Sequence, residues 1–210
     1  MIKNKQYRQF LDKGIITTLK EEQIEEVLKN LKSSYQKEGR AVVIALYYTG
    51  ARPNEVLRLK PKDLSREKSY VKVELLPSKR GLPRTVYLPY RKPMVKELYA
   101  YAMACFPNQY MFYHFKDSYK RTRLSKKGLP VVTTEITNKL RYHVKKWFTC
   151  LFPDGIPPYF LRHNRFSKLT IAGVSDRDIM QLKGSKTIES IRPYQHMSAE
   201  SAKKTAKKID

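Results

Sequence analysis

Apolar residues near the start of the chain recur at helical spacing. The segment 18–21, Thr-Leu-Lys-Glu, has the form of a capping box, so a first helix is predicted to begin there. The run 41–48 is too uniformly apolar for a surface helix and stops at Gly50, which predicts a buried central helix. The apolar positions that define the first helix are Ile24, Val27, Leu28 and Leu31.

A short helix is predicted directly after the central one. Pro53 can occupy its first turn, and the Lys60-Pro61 pair is expected to end it. The side chains expected to face inward are Val56, Leu57 and Leu59. Arg52 is therefore predicted to lie at the junction of two helices.

From residue 70 the apolar period changes from that of a helix to that of a strand. Alternating apolar residues on both sides of the segment 77–81 predict two antiparallel strands joined by a hairpin turn that carries Lys79. The inward positions are Val71, Val73, Leu75, Val86 and Leu88. Helical patterns return in segments near 91–105, 134–150, 162–172, 176–182 and 198–207.

The predicted fold is α+β and mainly α, with a small antiparallel sheet. Residues 1–17 are polar and basic and are interpreted as an arm or linker, and residues 18–210 as one domain with a basic C-terminal tail. The irregular segment 107–130 lies inside that domain. A cluster of aromatic residues in and just before this segment is interpreted as part of the core, with stacking on DNA as the alternative; its members are Phe106, Tyr110, Phe112, Tyr113, Phe115 and Tyr119.

Charge narrows the class of partner. The chain has 43 Lys and Arg against 19 Asp and Glu, a formal net charge of +24 spread along its length, which favours a folded surface that binds a polyanion. A basic structural component of an RNA particle has the same composition. Charge therefore indicates nucleic acid without indicating a chemistry.

Cysteine usage and the N-terminus bear on location. The two cysteines, Cys105 and Cys150, lie in apolar stretches and are not expected to form a disulfide, which fits a reducing cytoplasm. The N-terminus lacks an apolar signal region and no run is long enough to cross a membrane. No Gly-rich phosphate loop, carboxylate cluster or zinc spacing is present, so no cofactor and no metal are expected.

Arg52 is a candidate for phosphate binding. It follows the buried helix and a Thr-Gly bend, which would hold its guanidinium rigidly. Arginine presents paired planar donors that match two phosphate oxygens and can stabilise added negative charge in a transition state. An ordinary capping turn with a solvated arginine explains this segment equally well on its own.

The C-terminal third carries three further motifs in a fixed order: Tyr159-Phe-Leu-Arg162-His163, Lys183-Gly-Ser185 and Arg192-Pro-Tyr194-Gln-His196. With 32 positions from Arg162 to Tyr194 and nine from Ser185 to Tyr194, they resemble the catalytic domains of the tyrosine recombinase (phage integrase) family. The likeness covers about residues 18–200. Thr49 to Arg52 with Glu55 resembles the family's first box, and 78–88 resembles its lysine-bearing hairpin.

The resemblance implies the fold of the family's catalytic domain, a helical bundle with a small antiparallel three-stranded sheet. It also implies an enzyme that breaks and rejoins DNA by transesterification. Tyr194 would be the nucleophile that forms a 3′-phosphotyrosyl link, Arg52 and Arg162 would clamp the phosphate, and Lys79 would be the general acid for the leaving 5′ hydroxyl. Tyr159 and Ser185 stand where the family usually has His and His or Trp. Supporting roles are implied for Glu55, His163 and His196, and DNA contacts for Arg80, Arg84, Lys183 and Lys186.

As a family member, the chain would be a site-specific recombinase or integrase of a mobile element such as an archaeal virus or plasmid. Its expected partner is double-stranded DNA at a specific attachment site, bound as a homo-tetramer by a protein that is monomeric in free solution. It would work in the cytoplasm of a prokaryotic host, associated with the nucleoid. The alternatives are a type IB topoisomerase-like activity and a weak or silent DNA-binding module descended from an integrase, which Tyr159 and Ser185 favour.

Overall fold

The computed structural model describes residues 18–32, 34–77, 81–112 and 134–191. Its helices are α1 (Glu21–Lys29), α2 (Ser34–Thr49), α3 (Pro53–Val56), α4 (Pro93–Met103), α5 (Thr134–Trp147), α6 (Pro158–Ile171) and α7 (Asp176–Lys183). Its strands are β1 (Leu64–Glu67), β2 (Tyr70–Leu75) and β3 (Arg84–Pro89). Short 3₁₀ turns cover Pro61–Asp63, Phe148–Cys150 and Ile188–Ser190. The mainly α fold with a three-stranded antiparallel sheet is as predicted.

Helix α2 is the centre of the core. Every residue from 41 to 48 is buried, as the uniformly apolar run predicted, and α2 packs against α4 and α6. Arg40 and Glu97 join α2 to α4 through two hydrogen bonds, with Nε to Oε1 at 2.5 Å and Nη2 to Oε2 at 2.8 Å. Thr49 ends the helix, and Gly50 follows with φ of +60°, a left-handed conformation that glycine adopts without strain.

The predicted capping box at 18–21 is wrong in register. Helix α1 begins at Glu21, where the backbone N–H of Lys20 donates to Oε1 of Gln23 at 2.9 Å. Leu19 is fully buried, and its backbone N–H donates to Oδ1 of Asn164 on α6. The backbone of Lys20 is extended, with φ of −74° and ψ of 162°, so the helix starts at Glu21, three residues later than Thr18.

The sheet has the order β1-β2-β3 with antiparallel pairing throughout. On the β2–β3 pair, Val73 lies opposite Val86 and Leu75 lies opposite Arg84. The predicted inward residues are all buried, whereas Tyr70 and Tyr87 on the other face are half exposed. Arg84 thus shares the buried face of β3 with Val86 and Leu88.

Two other expectations needed correction. Helix α6 begins at Pro158 rather than near 162, because proline is favoured in the first turn, and this places Tyr159 in the first turn of the helix. The aromatic segment is divided: Phe112 is buried as predicted, but Phe106 is 74% exposed. Tyr113, Phe115, Tyr119 and the predicted helix 198–207 lie outside the described residues.

Candidate active site

Arg52 stands at the bend between α2 and α3, as predicted. Thr49 stabilises the bend, since its hydroxyl donates to the carbonyl of Ala45 at 2.5 Å and accepts from the N–H of Ala51 at 3.1 Å. Arg52 is the N-cap residue of α3, and its side chain is 26% exposed. The alternative of a freely solvated arginine therefore does not describe this residue.

Glu55 fixes the orientation of Arg52. Its Oε1 accepts from Nη1 of Arg52 at 2.9 Å, and its Oε2 accepts from the backbone N–H of Arg52 at 2.8 Å. Burial alone would raise the pKa of the Glu55 carboxyl, but the hydrogen bonds and charges of Arg84 and Arg52 outweigh burial and hold that pKa below its ordinary value. Glu55 is thus a buried carboxylate that orients the guanidinium of Arg52 and neutralises the charge of the Arg84 guanidinium.

The second of these guanidinium groups belongs to Arg84. Its Nη2 donates to Oε2 of Glu55 at 2.7 Å, and the side chain is 2% exposed. Its Nε and Nη1 are buried without a hydrogen-bond partner among the described residues. The predicted DNA contact of Arg84 is therefore not supported, because the inward register of β3 directs this side chain into the protein.

Arg162 joins two parts of the site that are distant in sequence. It is 3% exposed, its Nη1 donates to the carbonyl of Gly50 at 2.6 Å, and its Nη2 donates to the carbonyl of Lys183 at 2.9 Å. Its guanidinium also lies 4.9 Å from the centre of the Phe166 ring. The structure therefore brings Arg162, the Arg52 bend and the end of α7 together, as the order of the motifs predicted.

The residues that follow the hairpin turn between β2 and β3 lie next to Arg52 and the end of α7. Lys79 and Arg80 lie outside the described residues, but Pro77 and Gly81 flank them. A methyl group placed on Gly81 would lie 3.4 Å from Nη1 of Arg52 and 3.1 Å from the carbonyl oxygen of Gly184. The N–H of Leu82 donates to that carbonyl at 3.2 Å. Gly81, two residues after Lys79, therefore lies next to Arg52.

The first turns of α6 carry two further predicted residues. Tyr159 is 48% exposed, so its ring is accessible from solvent. His163 is partly buried, and burial, followed by the charges of Lys183 and Arg162, lowers its pKa to about 4. His163 is therefore neutral at pH 7 and can occupy this cationic region without adding to its charge.

The end of α7 presents Lys183, Ser185 and Lys186 in different ways. Lys183 is 9% exposed and donates from Nζ to the carbonyl of Ser190, so its predicted DNA contact is not supported. Burial, then the charges of Arg162 and Arg52, lower its pKa to about 8. Ser185 is partly exposed, its N–H donating to the carbonyl of Met180 at 3.1 Å, and Lys186 is exposed.

Tyr194 and His196 lie outside the described residues, which end at Ile191. Ile191 is fully buried against Phe166 and Ile179, so the chain is anchored three residues before Tyr194. Three residues span at most about 11 Å. The described part of the chain therefore ends at a residue that is anchored against α6 and α7, three positions before Tyr194.

Within the described ranges, no group of histidine, cysteine and carboxylate side chains could hold a metal ion. In that same part of the chain, no helix is both long and apolar enough to cross a membrane. Cys105 and Cys150 are free thiols.

Sequence reasoning missed how Arg84 and Lys183 support the site from inside, although the alternation ending in Val86 and Leu88 indicated that residue 84 faces inward.

The chain belongs to the phage integrase family, whose model matches residues 17–201. It is 25% identical over 206 residues to tyrosine recombinase XerA of Pyrococcus furiosus (strain ATCC 43587 / DSM 3638 / JCM 8422 / Vc1), covering 95% of this chain and 64% of that protein. It is 26% identical over 211 residues to tyrosine recombinase XerC of Pelotomaculum thermopropionicum (strain DSM 13744 / JCM 10971 / SI), covering 94% of this chain and 63% of that protein. The chain thus spans less than two thirds of the length of these curated relatives.

Solved structures share the fold. The crystal structure of XerA recombinase matches with a TM-score of 0.63 at 19% identity, covering 91% of this chain and 64% of that one. The Tn1549 transposon integrase in complex with circular intermediate DNA matches with a TM-score of 0.54 at 20% identity, covering 92% of this chain and 67% of that one. At these identities the likeness establishes a common architecture.

Proposed function

We propose that residues 18–210 form the catalytic domain of a site-specific tyrosine recombinase, with residues 1–17 as an arm, and that this domain breaks and rejoins duplex DNA. The observation that carries the proposal is the convergence at Gly50. Arg162 donates to the carbonyl of Gly50 at 2.6 Å, two residues before Arg52, and Gly81, two residues after Lys79, lies beside Arg52. Family membership supports the same chemistry.

In the proposed reaction, the phenolic oxygen of Tyr194 attacks a DNA phosphate. The bond from phosphorus to the tyrosine oxygen forms, the bond to the 5′ oxygen breaks, and the phenolic proton is released. Arg52, which is 26% exposed, stabilises the charge of the pentacoordinate phosphorus directly, and the buried guanidinium of Arg162 adds positive charge beside it. Lys79 donates a proton to the leaving 5′ oxygen. Because the bond energy is kept in the phosphotyrosyl link, the reaction needs no cofactor.

Tyr159 and Ser185 take the positions usually held by His and by His or Trp. The hydroxyl of the exposed Tyr159 side chain can donate a hydrogen bond to a phosphate oxygen. The Ser185 hydroxyl can also donate one hydrogen bond, but it carries no positive charge. Glu55 and His163 support this site from within, and His196 lies near Tyr194 in sequence. We therefore expect catalysis that is slower than with the usual residues.

The proposed partner is double-stranded DNA at a specific attachment site, bound by a homo-tetramer that assembles from monomers on the DNA. The net charge of +24 supports this partner, as does the Tn1549 integrase, which was solved with circular intermediate DNA. Arg80 and Lys186 are the proposed phosphate contacts, and DNA affinity should fall steeply with salt. The proposed location is the cytoplasm of a prokaryotic host, at the nucleoid.

The test is trapping of the covalent intermediate. A pool of short DNA duplexes with a randomised centre and one nick is incubated with the protein, because a nick releases the leaving strand and prevents rejoining. We expect an adduct on a denaturing gel, and sequencing of the trapped DNA would identify the preferred site. Tyr194→Phe should abolish the adduct, whereas Tyr87→Phe, which changes a half-exposed tyrosine on the sheet, should not.

Other outcomes separate the alternatives. An adduct that persists in Tyr194→Phe excludes Tyr194 as the nucleophile. DNA binding without an adduct in the wild type identifies a silent DNA-binding module. Relaxation of supercoiled plasmid by a monomer without sequence preference identifies a type IB topoisomerase-like activity.

A further inference from the structure

The backbone carbonyl of Lys183 contacts Arg162. The side chain of Lys183 contacts the 3₁₀ turn that precedes Tyr194. We propose that Lys183 is a positioning residue that couples phosphate binding at Arg52 and Arg162 to the placement of the segment that carries Tyr194. This inference rests on the proposed recombinase function. It goes beyond that function by assigning control of the nucleophile to a buried lysine to which the proposed reaction gives no role.

The geometry makes Lys183 a direct link. Its carbonyl accepts from Nη2 of Arg162 at 2.9 Å, and its Nζ donates to the carbonyl of Ser190. Ser190 ends the 3₁₀ turn Ile188–Ser190, and Tyr194 follows four residues later. A change in the Lys183 side chain therefore acts on the turn, while its backbone stays bound to the arginine.

Ile191 provides the other anchor of this turn. Ile191 is fully buried against Phe166 and Ile179, and its N–H donates to the carbonyl of Ile188 at 2.9 Å. An apolar anchor fixes the depth of the chain but does not fix the rotation of the turn. The directional bond from Lys183 to Ser190 supplies that orientation.

The charges around Lys183 make this bond sensitive to an anion. From α6 it faces Arg162 and the neutral His163, and from the α2–α3 bend it faces Arg52. Arg84 on β3 is paired with Glu55, and Glu189 of the 3₁₀ turn is exposed. On α7 itself, the charged residues Asp176, Arg177 and Asp178 lie at the opposite end of the helix.

This environment explains the direction of the coupling. Burial, then repulsion by Arg162 and Arg52, lower the pKa of Lys183 to about 8, so the free protein loses this proton just above neutral pH. A DNA phosphate between the arginines offsets their charge and raises the pKa of Lys183 again. The phosphate thereby strengthens the bond to Ser190, and by linkage the charged lysine strengthens phosphate binding.

The first arm of the test measures protonation without measuring activity. The reactivity of Lys183 toward an amine-specific acylating reagent is followed by mass spectrometry between pH 6 and 11, with and without a nicked DNA duplex. We expect a midpoint near 8 in the free protein that rises by about one unit or more with DNA. Exposed Lys29 is the internal control and should not change its midpoint. An unchanged midpoint for Lys183 would overturn the proposal.

The second arm measures adduct formation at saturating DNA. Lys183→Met, which keeps the aliphatic length without the charge, should slow adduct formation about 10-fold or more at pH 7. It should also remove the loss of rate at the higher pH where Lys183 loses its proton in the DNA complex, above the value of about 8 for the free protein. Lys183→Arg should restore part of the rate, and Lys29→Met should match the wild type. Equal rates for Lys183→Met and the wild type would contradict the inference.

These arms distinguish the two proposals. Absence of an adduct in the wild type contradicts the recombinase function and, with it, the positioning role, whatever the labelling shows. A wild-type adduct with an insensitive Lys183→Met contradicts the positioning role alone. If circular dichroism shows that Lys183→Met does not fold, the labelling midpoint of the wild-type protein decides the question.

Discussion

Glu55 and Arg84 form an ion pair of 2.7 Å in which both side chains are withdrawn from solvent, with exposures of 0% and 2%. Glu55 also holds Arg52, whose side chain remains 26% exposed. The pair therefore links a purely internal arginine to one that can reach a ligand. Disruption of this ion pair should therefore lower the stability of the protein and slow the reaction at Arg52.

Replacing Glu55 should destabilise the protein strongly. Glu55→Gln leaves the Arg84 guanidinium buried without a counter-charge, and breaking one partner of a buried pair costs about 3–5 kcal/mol. Urea unfolding at pH 7 measures the loss. Glu26→Gln, on the exposed face of α1, is the matched control and should change the unfolding free energy by less than about 0.5 kcal/mol.

A double-mutant cycle tests whether the cost comes from the stranded charge. Arg84→Met combined with Glu55→Gln should be more stable than Glu55→Gln alone, because no buried charge is left without a partner. Glu55 has a lowered pKa in the folded protein, so the pair contributes stability that is complete above the ordinary carboxyl pKa and is lost as the pH falls below it. Additive single changes would show that the pair is not coupled.

Gly184 should be sensitive to any side chain. It has φ of +64°, and a methyl group there would lie 2.9 Å from the carbonyl oxygen of Leu82 and 3.1 Å from Nη1 of Arg84. Gly173 has φ of +78° but nothing within 4 Å of such a methyl group. Both alanine variants carry backbone strain of about 1 kcal/mol, so the difference between them reports the clash with the hairpin.

We therefore expect Gly184→Ala to lower the unfolding free energy by at least about 1 kcal/mol more than Gly173→Ala. It should also slow adduct formation, because the clash moves the strand that leads out of the Lys79 turn. Thermal unfolding and the trapping gel measure the two effects. Identical behaviour of the two variants would mean that contact between the hairpin and α7 is unimportant.

Periodicity was sufficient to predict the parts of the fold that the core determines. The run 41–48 and the alternation through Val71, Val73, Val86 and Leu88 indicated burial, and all of these residues are buried. Burial of apolar surface is the main term that stabilises such elements, so the spacing of apolar residues along the sequence is enough to predict them. The junction at Arg52 was predictable for the same reason, because Gly50 and Pro53 mark the end of one helix and the start of the next.

The internal polar partners were harder to predict because they depend on contacts between distant segments. Arg84 and Lys183 have the residue type of DNA-binding groups, yet Glu55 lies 29 positions from Arg84, and the bond from Lys183 to Ser190 depends on the turn after α7. A lysine or arginine near a phosphate site can serve the phosphate or the protein. For Arg84, only the alternation along β3 distinguished these two roles. Because Val86 faces inward, the alternation places Arg84, two residues before it, on the same inward face.

Tyr159 should affect catalysis without affecting folding. Its side chain is 48% exposed, so Tyr159→Phe removes a hydroxyl that is not needed for packing, and the unfolding free energy should stay within about 0.5 kcal/mol. If the hydroxyl stabilises the transition state, adduct formation should slow about 10- to 100-fold. Tyr142→Phe, a 63% exposed tyrosine on α5, is the control. A wild-type rate for Tyr159→Phe would assign the residue no part in the reaction.

Lys79 should be required only when the leaving group needs a proton. Lys79→Ala should slow cleavage of ordinary DNA, whereas DNA with a bridging 5′ sulfur should be cleaved at a rate near that of the wild type, since a thiolate leaves without protonation. Exposed Lys62→Ala is the control for loss of general positive charge. Equal defects on both substrates would remove the acid role from Lys79.

His163 should make the protein sensitive to acid. Its pKa is about 4 in the folded protein against an ordinary value of 6.5 for histidine, because burial first, and the charges of Lys183 and Arg162 second, disfavour the imidazolium. The unfolded chain therefore binds this proton at a higher pH than the folded one. The stabilisation from neutral His163 is complete above pH 6.5 and is lost as the pH falls toward 4, a change on the order of 2–3 kcal/mol.

Urea unfolding between pH 7 and 4.5 should thus show a steeper loss of stability in the wild type than in His163→Gln, which has no ionisable side chain. His143 on α5 also has a lowered pKa, caused first by burial, and His143→Gln provides the comparison for removing a histidine away from the arginines. A slope unchanged by His163→Gln would show that His163 binds its proton at the same pH in the folded and the unfolded protein, and so that its surroundings do not disfavour the imidazolium.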